Sequence, residues 1–98
     1  MQLEVNRRPD ALEDLIEIWE YSFVNWGEAQ ADRYLDGLEE VIEGLADEAG
    51  RHLAKQVADT PYWRIRCQSH LIVFEPSESA VDVVRVLHVS MDIAQHLQ

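Results

Sequence analysis

Two amphipathic patterns separated by a single glycine occupy the first half of the sequence. Apolar residues recur at three- and four-residue spacing on both sides of Gly27, which is the period of a helix with one apolar face. The pattern predicts one helix from about Pro9 to about Asn25 and a second from about Glu28 to about Glu48. Because only two or three residues link them, the helices are expected to form an antiparallel hairpin.

Each predicted helix has its own apolar stripe, and both stripes are expected to face inward. The stripe of the first helix consists of Leu12, Leu15, Ile16, Trp19, Phe23 and Trp26. The stripe of the second consists of Ala31, Tyr34, Leu35, Leu38, Val41, Ile42 and Leu45.

Four segments have the alternating or β-branched composition of strands. These are QLEVN (2–6), YWRIRC (62–67), HLIVFE (70–75) and AVDVVRVLH (80–88). Residues 49–61 are predicted to form a loop with up to one helical turn, and Ser90 is predicted to cap a short helix that ends near Leu97. The order β-α-α-β-β-β-short α predicts an α+β fold of two layers, with the helical hairpin on one face of a small, mostly antiparallel sheet. One domain is expected to span residues 1–98.

The charge of this chain is large and unevenly distributed. The formal net charge is −11, and all of it comes from residues 1–50, because acids and bases balance in residues 51–98. Nucleic-acid-binding proteins neutralise phosphates with several Lys or Arg side chains, so direct binding of RNA or DNA by the first half is not expected. An acidic surface of this kind fits a solvated helix face or a basic protein partner.

Several other classes of protein are excluded by simple counts. Cys67 is the only cysteine, so the chain is expected to have neither an internal disulfide nor a four-cysteine zinc site. No apolar run approaches the ~20 residues that span a bilayer, and the start MQLEVNRRPD lacks the plan of a signal peptide. We therefore expect a cytoplasmic protein with no cofactor.

Three segments resemble the ParE toxins of the RelE/ParE superfamily. They are IWEYSFVNWGEAQADRYLDGLEEVIEGLA, SHLIVF and VVRVLHVSMDIAQHL. The matching positions are Ile18, Trp19, Tyr21, Trp26, Gly27, Gln30, Ala31, Tyr34, Ser69, His70, Arg85, Val86, Leu87, His88, Met91, Asp92, His96 and Leu97. The resemblance covers most of the chain, in order and with natural spacing. Gln68, Glu75, Val89 and Ser90 depart from the pattern of the family.

The resemblance implies a toxin of a type II toxin–antitoxin system with the two-layer fold described above. Such a toxin is expected to inhibit DNA gyrase through protein contacts and to be neutralised by a ParD-like antitoxin, with which it forms a hetero-oligomer. Two alternatives stay open. One is a ribosome-dependent mRNA endonuclease like RelE, and the other is a toxin-like module that has lost its toxicity, as the departing positions would allow.

The histidines and arginines are the candidates for chemistry. His70, His88 and His96 come together if the last helix folds back, but no short metal-ligand spacing occurs, so no metal site is expected. His88 is expected to hydrogen-bond the turn into the last helix through Ser90 or Asp92. An endonuclease would use Arg64, Arg85 and His88, since RNA cleavage without a metal needs proton transfer and positive charge at the phosphate.

Candidate protein-binding residues fall into two groups. Antitoxin contacts are expected from apolar and aromatic side chains, because such toxins expose apolar surface until the partner covers it: Leu12, Ile16, Leu38, Ile42, Tyr62 and Trp63. Target contacts are expected near the arginines and the closing motif: Arg64, Arg66, Arg85, His88, Met91 and Asp92.

Overall fold

The hairpin of helices lies against a five-stranded sheet in the computed structural model, which describes residues 2–97. The elements in chain order are β1 (Glu4–Arg7), α1 (Pro9–Trp26), α2 (Glu28–Gly44), α3 (Glu48–Arg51), β2 (Lys55–Gln56), β3 (Trp63–Cys67), β4 (His70–Pro76), β5 (Ala80–His88) and α4 (Ile93–His96). This is the predicted two-layer α+β fold. None of the helices within residues 2–97 is long and apolar enough to cross a lipid bilayer.

The sheet has the strand order β1-β5-β4-β3-β2. Strand β1 pairs with β5 in parallel, from Glu4 beside Ala80 to Arg7 beside Val83, and all other pairs are antiparallel. Because β1 ends at Arg7, the outer edge of β5 from Val84 onward has no strand beside it. A cavity lies along this open edge of β5.

The main core lies between the hairpin and one face of the sheet. Its fully buried members come from both layers: Ala11, Leu15, Leu38, Ile42, Leu45, Ile72, Phe74, Val81, Val83 and Val86. A β-bulge in β5 explains how the core includes both Val83 and Val86. Phe74 pairs with Val83 and Val73 pairs with Arg85, so Val84 is left unpaired. The extra residue lets Val83 and Val86 point to the same face although they are three apart.

The predicted inward stripe of α1 is wrong by about a quarter turn. The helix buries Ala11, Asp14, Leu15 and Ser22. Small side chains at positions 11 and 22 let the helix approach its neighbours closely. Phe23 and Trp26 are instead 46% and 63% exposed.

Gly27 joins the two helices, as predicted, in a conformation that only glycine adopts readily. Its φ is 88° and its ψ is 171°, and its N–H donates to the carbonyl of Phe23, which closes α1. The predicted boundary of α2 is four residues too long, because the helix ends at Gly44 and a separate turn, α3, follows. The two-residue strand β2 lies inside the segment predicted to be a loop.

Candidate functional site

A cavity of about 640 Å³ lies along the open edge of β5. Helix α1 forms one wall, the start of α2 and the β3–β4 turn form a second, and the segment around Met91 and His96 closes the far side. This volume is within the usual range for ligand sites in proteins. The cavity therefore offers a shaped site outside the main core.

Asp14 and Arg85 form an ion pair at one wall of the cavity. The Arg85 guanidinium donates to both carboxylate oxygens of Asp14, at 2.8 and 2.9 Å, and to the carbonyl of His96. Asp14 also accepts the backbone N–H of Val86 at 2.9 Å. The hydrogen bonds to Asp14 raise the pKa of Arg85 and outweigh the opposing effect of burial. Asp14 thus satisfies a donor on the open edge of β5 and neutralises Arg85.

Tyr34, His70 and His88 form a contiguous cluster in the cavity wall. His70 and His88 are opposite each other on β4 and β5, with ring centroids 5.3 Å apart. The Tyr34 hydroxyl accepts the backbone N–H of Ser69 at 3.1 Å and lies 2.7 Å from Nδ1 of His70. Because its oxygen already accepts from Ser69, we assign the hydroxyl proton to the His70 bond. In that arrangement the neutral His70 ring carries its proton on Nε2.

Burial lowers the pKa of His70 to about 4, helped by repulsion from His88 and opposed by Asp14. His70 is therefore neutral near pH 7, and its Nδ1 is occupied by Tyr34. A general base works best when its pKa lies near the working pH and its acceptor atom is free to reach substrate. His70 meets neither condition.

His88 closes the turn into α4, as predicted from the sequence. Its Nδ1 accepts the backbone N–H of Ser90 at 3.1 Å and lies 2.8 Å from the Ser90 hydroxyl oxygen. The predicted helix cap at Ser90 is wrong, because Asp92 caps α4 by accepting the N–H of Ala94. His96 lines the same cavity, so the structure brings all three predicted histidines together. Within residues 2–97, no three His, Cys, Asp or Glu side chains are arranged to hold a metal ion.

The predicted arginines lie on one face of the sheet but do not form one cluster. Arg64 and Arg85 occupy the same cross-strand row, with Val73 of β4 between them, so about 10 Å of sheet separates their backbones. Arg66 is exposed and donates to the carbonyl of Gln68. Arg85 is engaged with Asp14. Met91 is 45% exposed, and Asp92 is exposed at the N-cap position of α4.

The predicted antitoxin-binding residues divide into exposed and buried ones. Leu12 and Ile16 are 47% and 58% exposed. Leu38 and Ile42 are completely buried in the main core, so their assignment to a surface groove is wrong. The reason is that the whole apolar stripe of α2 turns toward the sheet. Tyr62 and Trp63 are half-buried, and Trp63 packs against the core.

Asp14 and Glu17 belong to the cavity wall and were missed from the sequence. A signal for Asp14 was present, because it lies three residues after Ala11 and four before Ile18, at the spacing of one helix face. A carboxylate in such a series indicates a buried partner. The position of Arg85 opposite Asp14 depends on the bulge at Val84, which the sequence pattern does not reveal.

Relatives of known name match nearly the whole chain. A family model described as "ParE toxin of type II toxin-antitoxin system, parDE" matches residues 5–93. A protein named Toxin ParE1 from Caulobacter vibrioides is 37% identical over 93 residues, which cover 95% of this chain and 94% of that protein. A Toxin ParE1 from Mycobacterium tuberculosis is 33% identical over 90 residues, covering 91% and 92%.

Solved structures with low sequence identity share the fold. A chain of the chromosomal ParDE system from P. aeruginosa superimposes with a TM-score of 0.81 at 14% identity, covering 91% of this chain and 98% of that one. The YoeB dimer from Staphylococcus aureus gives a TM-score of 0.58 at 16% identity, covering 90% and 98%. The structural likeness agrees with the match in sequence over residues 5–93, and the chain belongs to the ParE toxin family of type II toxin–antitoxin systems.

Proposed function

We propose that this toxin acts in the cytoplasm by binding DNA gyrase, without catalysing a reaction, and that a ParD-like antitoxin neutralises it. The observation that carries the proposal is a row of uncovered apolar side chains on α1, which we call the α1 stripe: Leu12, Ile16, Trp19 and Phe23. Leu12, Ile16 and Phe23 are each close to half exposed or more. An apolar row of this kind on a small chain is typical of a protein-binding surface.

The spacing of the α1 stripe fits a helical partner. Its members are four, three and four residues apart, which is the alternation that seats one helix against another in a coiled coil. Trp19 and Phe23 stack with centroids 5.2 Å apart, and Trp19 donates to Asp32 of α2 at 2.9 Å. These contacts hold the two rings in place before a partner arrives, which lowers the entropic cost of binding.

Charge favours an antitoxin over a second copy of the toxin as the occupant of the α1 stripe. Exposed carboxylates flank the stripe on α1 at Glu13, Glu17 and Glu20. Two copies would bring these acidic faces together, which like-charge repulsion opposes. The contacting segment of the antitoxin is therefore expected to be amphipathic and richer in Lys and Arg than usual.

The gyrase contact is proposed to use a surface outside the α1 stripe. Among the predicted target-binding residues, Arg66, Met91 and Asp92 are exposed, whereas Arg85 is held by Asp14. His88 and Arg64 are half-buried, so they would contribute less contact area to this surface. The assignment leaves the α1 stripe free for the antitoxin.

Four observations oppose the alternative function as an endonuclease. The chain carries eleven more acids than bases, and Arg85 is neutralised by Asp14. His70 is neutral near pH 7, and Nδ1 of each of His70 and His88 is already hydrogen-bonded. An RNA-cleaving site needs positive charge at the phosphate and free proton-transfer groups, so these four observations disfavour RNA cleavage.

The test is induced expression in a bacterial host that lacks the antitoxin. We expect growth arrest, loss of supercoiling by purified gyrase when the toxin is added, and intact messenger RNA. Cleaved messages with normal supercoiling would select the endonuclease, and unimpaired growth would select the module without toxicity.

The antitoxin interface is tested by co-expression of the toxin with the proposed ParD-like antitoxin. Ile16→Glu is expected to abolish rescue by the antitoxin, because it places a charge in the α1 stripe. Val24→Glu is the matched control, since Val24 is 80% exposed on the same helix but lies outside the stripe. Equal rescue of both variants would remove the α1 stripe from the interface.

A further inference from the structure

We propose that the cavity beside β5 binds one arginine or lysine side chain of the antitoxin. The proposal rests on the antitoxin partner proposed above and names the group that anchors it. It comes from the chemistry of the cavity wall rather than from the α1 stripe, which lies on a different side of α1. The α1 stripe would supply apolar contact area, and the cavity would select for a basic residue.

A smaller, acidic depression adjoins the cavity. The depression has a volume of about 190 Å³ and is lined by Asp10, Glu13, Asp14, Glu17 and Arg85. Asp14, Glu17 and Arg85 line both spaces. A long side chain in the cavity can therefore place its head group near Asp14 and Glu17, the two carboxylates that both spaces share.

The charge around this path favours a cation. Arg85 is the one Lys or Arg among the described residues that line the two spaces, and Asp14 compensates it. Asp10, Glu13 and Glu17 then contribute three carboxylates, and none of them forms an ion pair within residues 2–97. Phosphates and carboxylates would be repelled, whereas a guanidinium or an ammonium group would be attracted.

The aromatic wall suits the stem and the head of such a side chain. Tyr21 and Trp26 line the cavity and are each 63% exposed. They meet edge to face with centroids 5.8 Å apart, which fixes both rings. A cation over the face of a Trp or Tyr ring is attracted by the ring electrons, and the apolar stem of Arg or Lys packs well against aromatic and thioether groups such as Met91.

The histidines favour a peptide over a free polyamine. Nδ1 of His88 accepts the backbone N–H of Ser90, and Nδ1 of His70 accepts from Tyr34 in the arrangement assigned above, so each ring carries its N–H at Nε2. Both rings line the cavity, and a ring N–H pairs with a peptide carbonyl. The cavity thus combines donors for a backbone with acids for a basic side chain.

The experiment titrates the isolated chain, made by cell-free synthesis, with short blocked peptides and follows the indole N–H of Trp26 by NMR. The probe is Ac-Ala-Arg-Ala-NH2, and its uncharged isostere carries citrulline in place of arginine. We expect the arginine peptide to shift the Trp26 signal saturably and to bind at least about fivefold more tightly than the citrulline peptide.

Glu17→Gln and Glu20→Gln are the matched variants. Both remove one carboxylate from exposed positions of α1, but Glu20 lines neither space. Glu17→Gln is expected to weaken the arginine peptide by about fivefold and Glu20→Gln by less than about twofold. Trp26→Phe and Trp26→Ala lack this indole, so their titrations follow the backbone N–H of Tyr21, which lines the same cavity. Trp26→Phe is expected to keep part of the affinity and Trp26→Ala to lose it.

Equal binding of the arginine and citrulline peptides, equal effects of the two glutamate variants, or no saturable shift would each overturn the proposal. Its failure can be distinguished from failure of the proposed function, because peptide binding is measured on the free chain. Absence of growth arrest would leave the peptide result unchanged. Growth arrest without binding of the arginine peptide would overturn the proposal for the cavity and leave the proposed function standing.

Discussion

At the scale of single residues, Asp14 connects α1 to the edge of β5. Replacing it with alanine is expected to lower the free energy of unfolding by about 3 kcal/mol, because the change leaves the Arg85 charge without its partner and the Val86 N–H without an acceptor. Urea denaturation measures the loss. Glu13→Ala, one residue earlier and exposed, is the control and should change stability by less than about 0.5 kcal/mol. Similar losses in both variants would contradict the role given to Asp14.

His70 makes stability depend on pH in a defined direction. Its pKa in the folded chain is about 4, below the ordinary value near 6.5. Between these values the unfolded chain binds more protons, so stability falls as the pH drops from about 6.5 to about 4. The contribution of His70 is about 1–2 kcal/mol after allowance for its partial exposure to solvent.

The His70 effect is measured as a difference, because protonation of the many carboxylates also changes stability at low pH. Urea denaturation of the wild type and of His70→Gln at about pH 7 and about pH 5 separates the two contributions. The loss between these pH values should be smaller in His70→Gln. His52→Gln, which alters an exposed histidine, should behave like the wild type. An unchanged pH profile in His70→Gln would show that His70 is not the responsible group.

At the scale of elements, the β3–β4 turn and α2 are fitted to each other. Gln68 is the first of the two turn residues and has a φ of 56°, which favours glycine. Its side chain donates to the carbonyl of Tyr34 at 3.0 Å. A Cβ added at Gly37 would lie 2.8 Å from Nε2 of Gln68. The glycine in α2 therefore makes room for the glutamine in the turn.

This fit predicts an energetic coupling between positions 37 and 68. Gly37→Ala alone should be nearly neutral, because the gain in helix propensity is offset by displacement of Gln68. In the Gln68→Gly background the same change should stabilise by about 1 kcal/mol, since the obstructing side chain is absent and the helical benefit is complete. A double-mutant cycle by thermal or urea denaturation measures the coupling. Additive effects of the two changes would refute it.

Most of the elements were predictable from the sequence, because the periods of three to four and of two are strong over long segments. The helices and β3, β4 and β5 follow from these patterns. The rotation of α1 was not predictable, because Leu12 and Phe23 are as apolar as Leu15, and only the small residues Ala11 and Ser22 distinguish the inward face. Strand β2 has two residues, too few to show a period.

The candidate site was predictable in part. The three histidines and Arg85 come from the motif of the family, and the structure brings them to one cavity. The spacing of Asp14 from Ala11 and Ile18 was a usable signal. Glu17 belongs to an acidic series along α1, and sequence alone does not separate a carboxylate that lines a cavity from one in solvent. The bulge at Val84 depends on tertiary packing of Val83 and Val86 against the helices, and no local pattern records it.

At the scale of the whole molecule, the charge of −11 opposes the compact state. Asp36 and Glu40 are exposed on α2 at four-residue spacing, where like charges repel. The double change Asp36→Asn and Glu40→Gln is expected to raise the free energy of unfolding by about 0.5 kcal/mol at low ionic strength. In about 1 M NaCl the gain should vanish, because screening shortens the range of the repulsion to about 3 Å. A gain that persists in high salt would indicate a different cause.

The parallel pairing of β1 with β5 determines when the sheet can be completed during synthesis of the chain. Glu4 pairs with Ala80, so β1 cannot pair until β5 has been synthesised. Strand β1 and both long helices leave the ribosome before β5 does. Until β5 is synthesised, the apolar faces of the helical hairpin have no complete sheet to pack against. The cavity beside β5 also lacks the wall that β5 forms. The antitoxin proposed above, if already synthesised, can therefore bind the nascent hairpin before the cavity has formed.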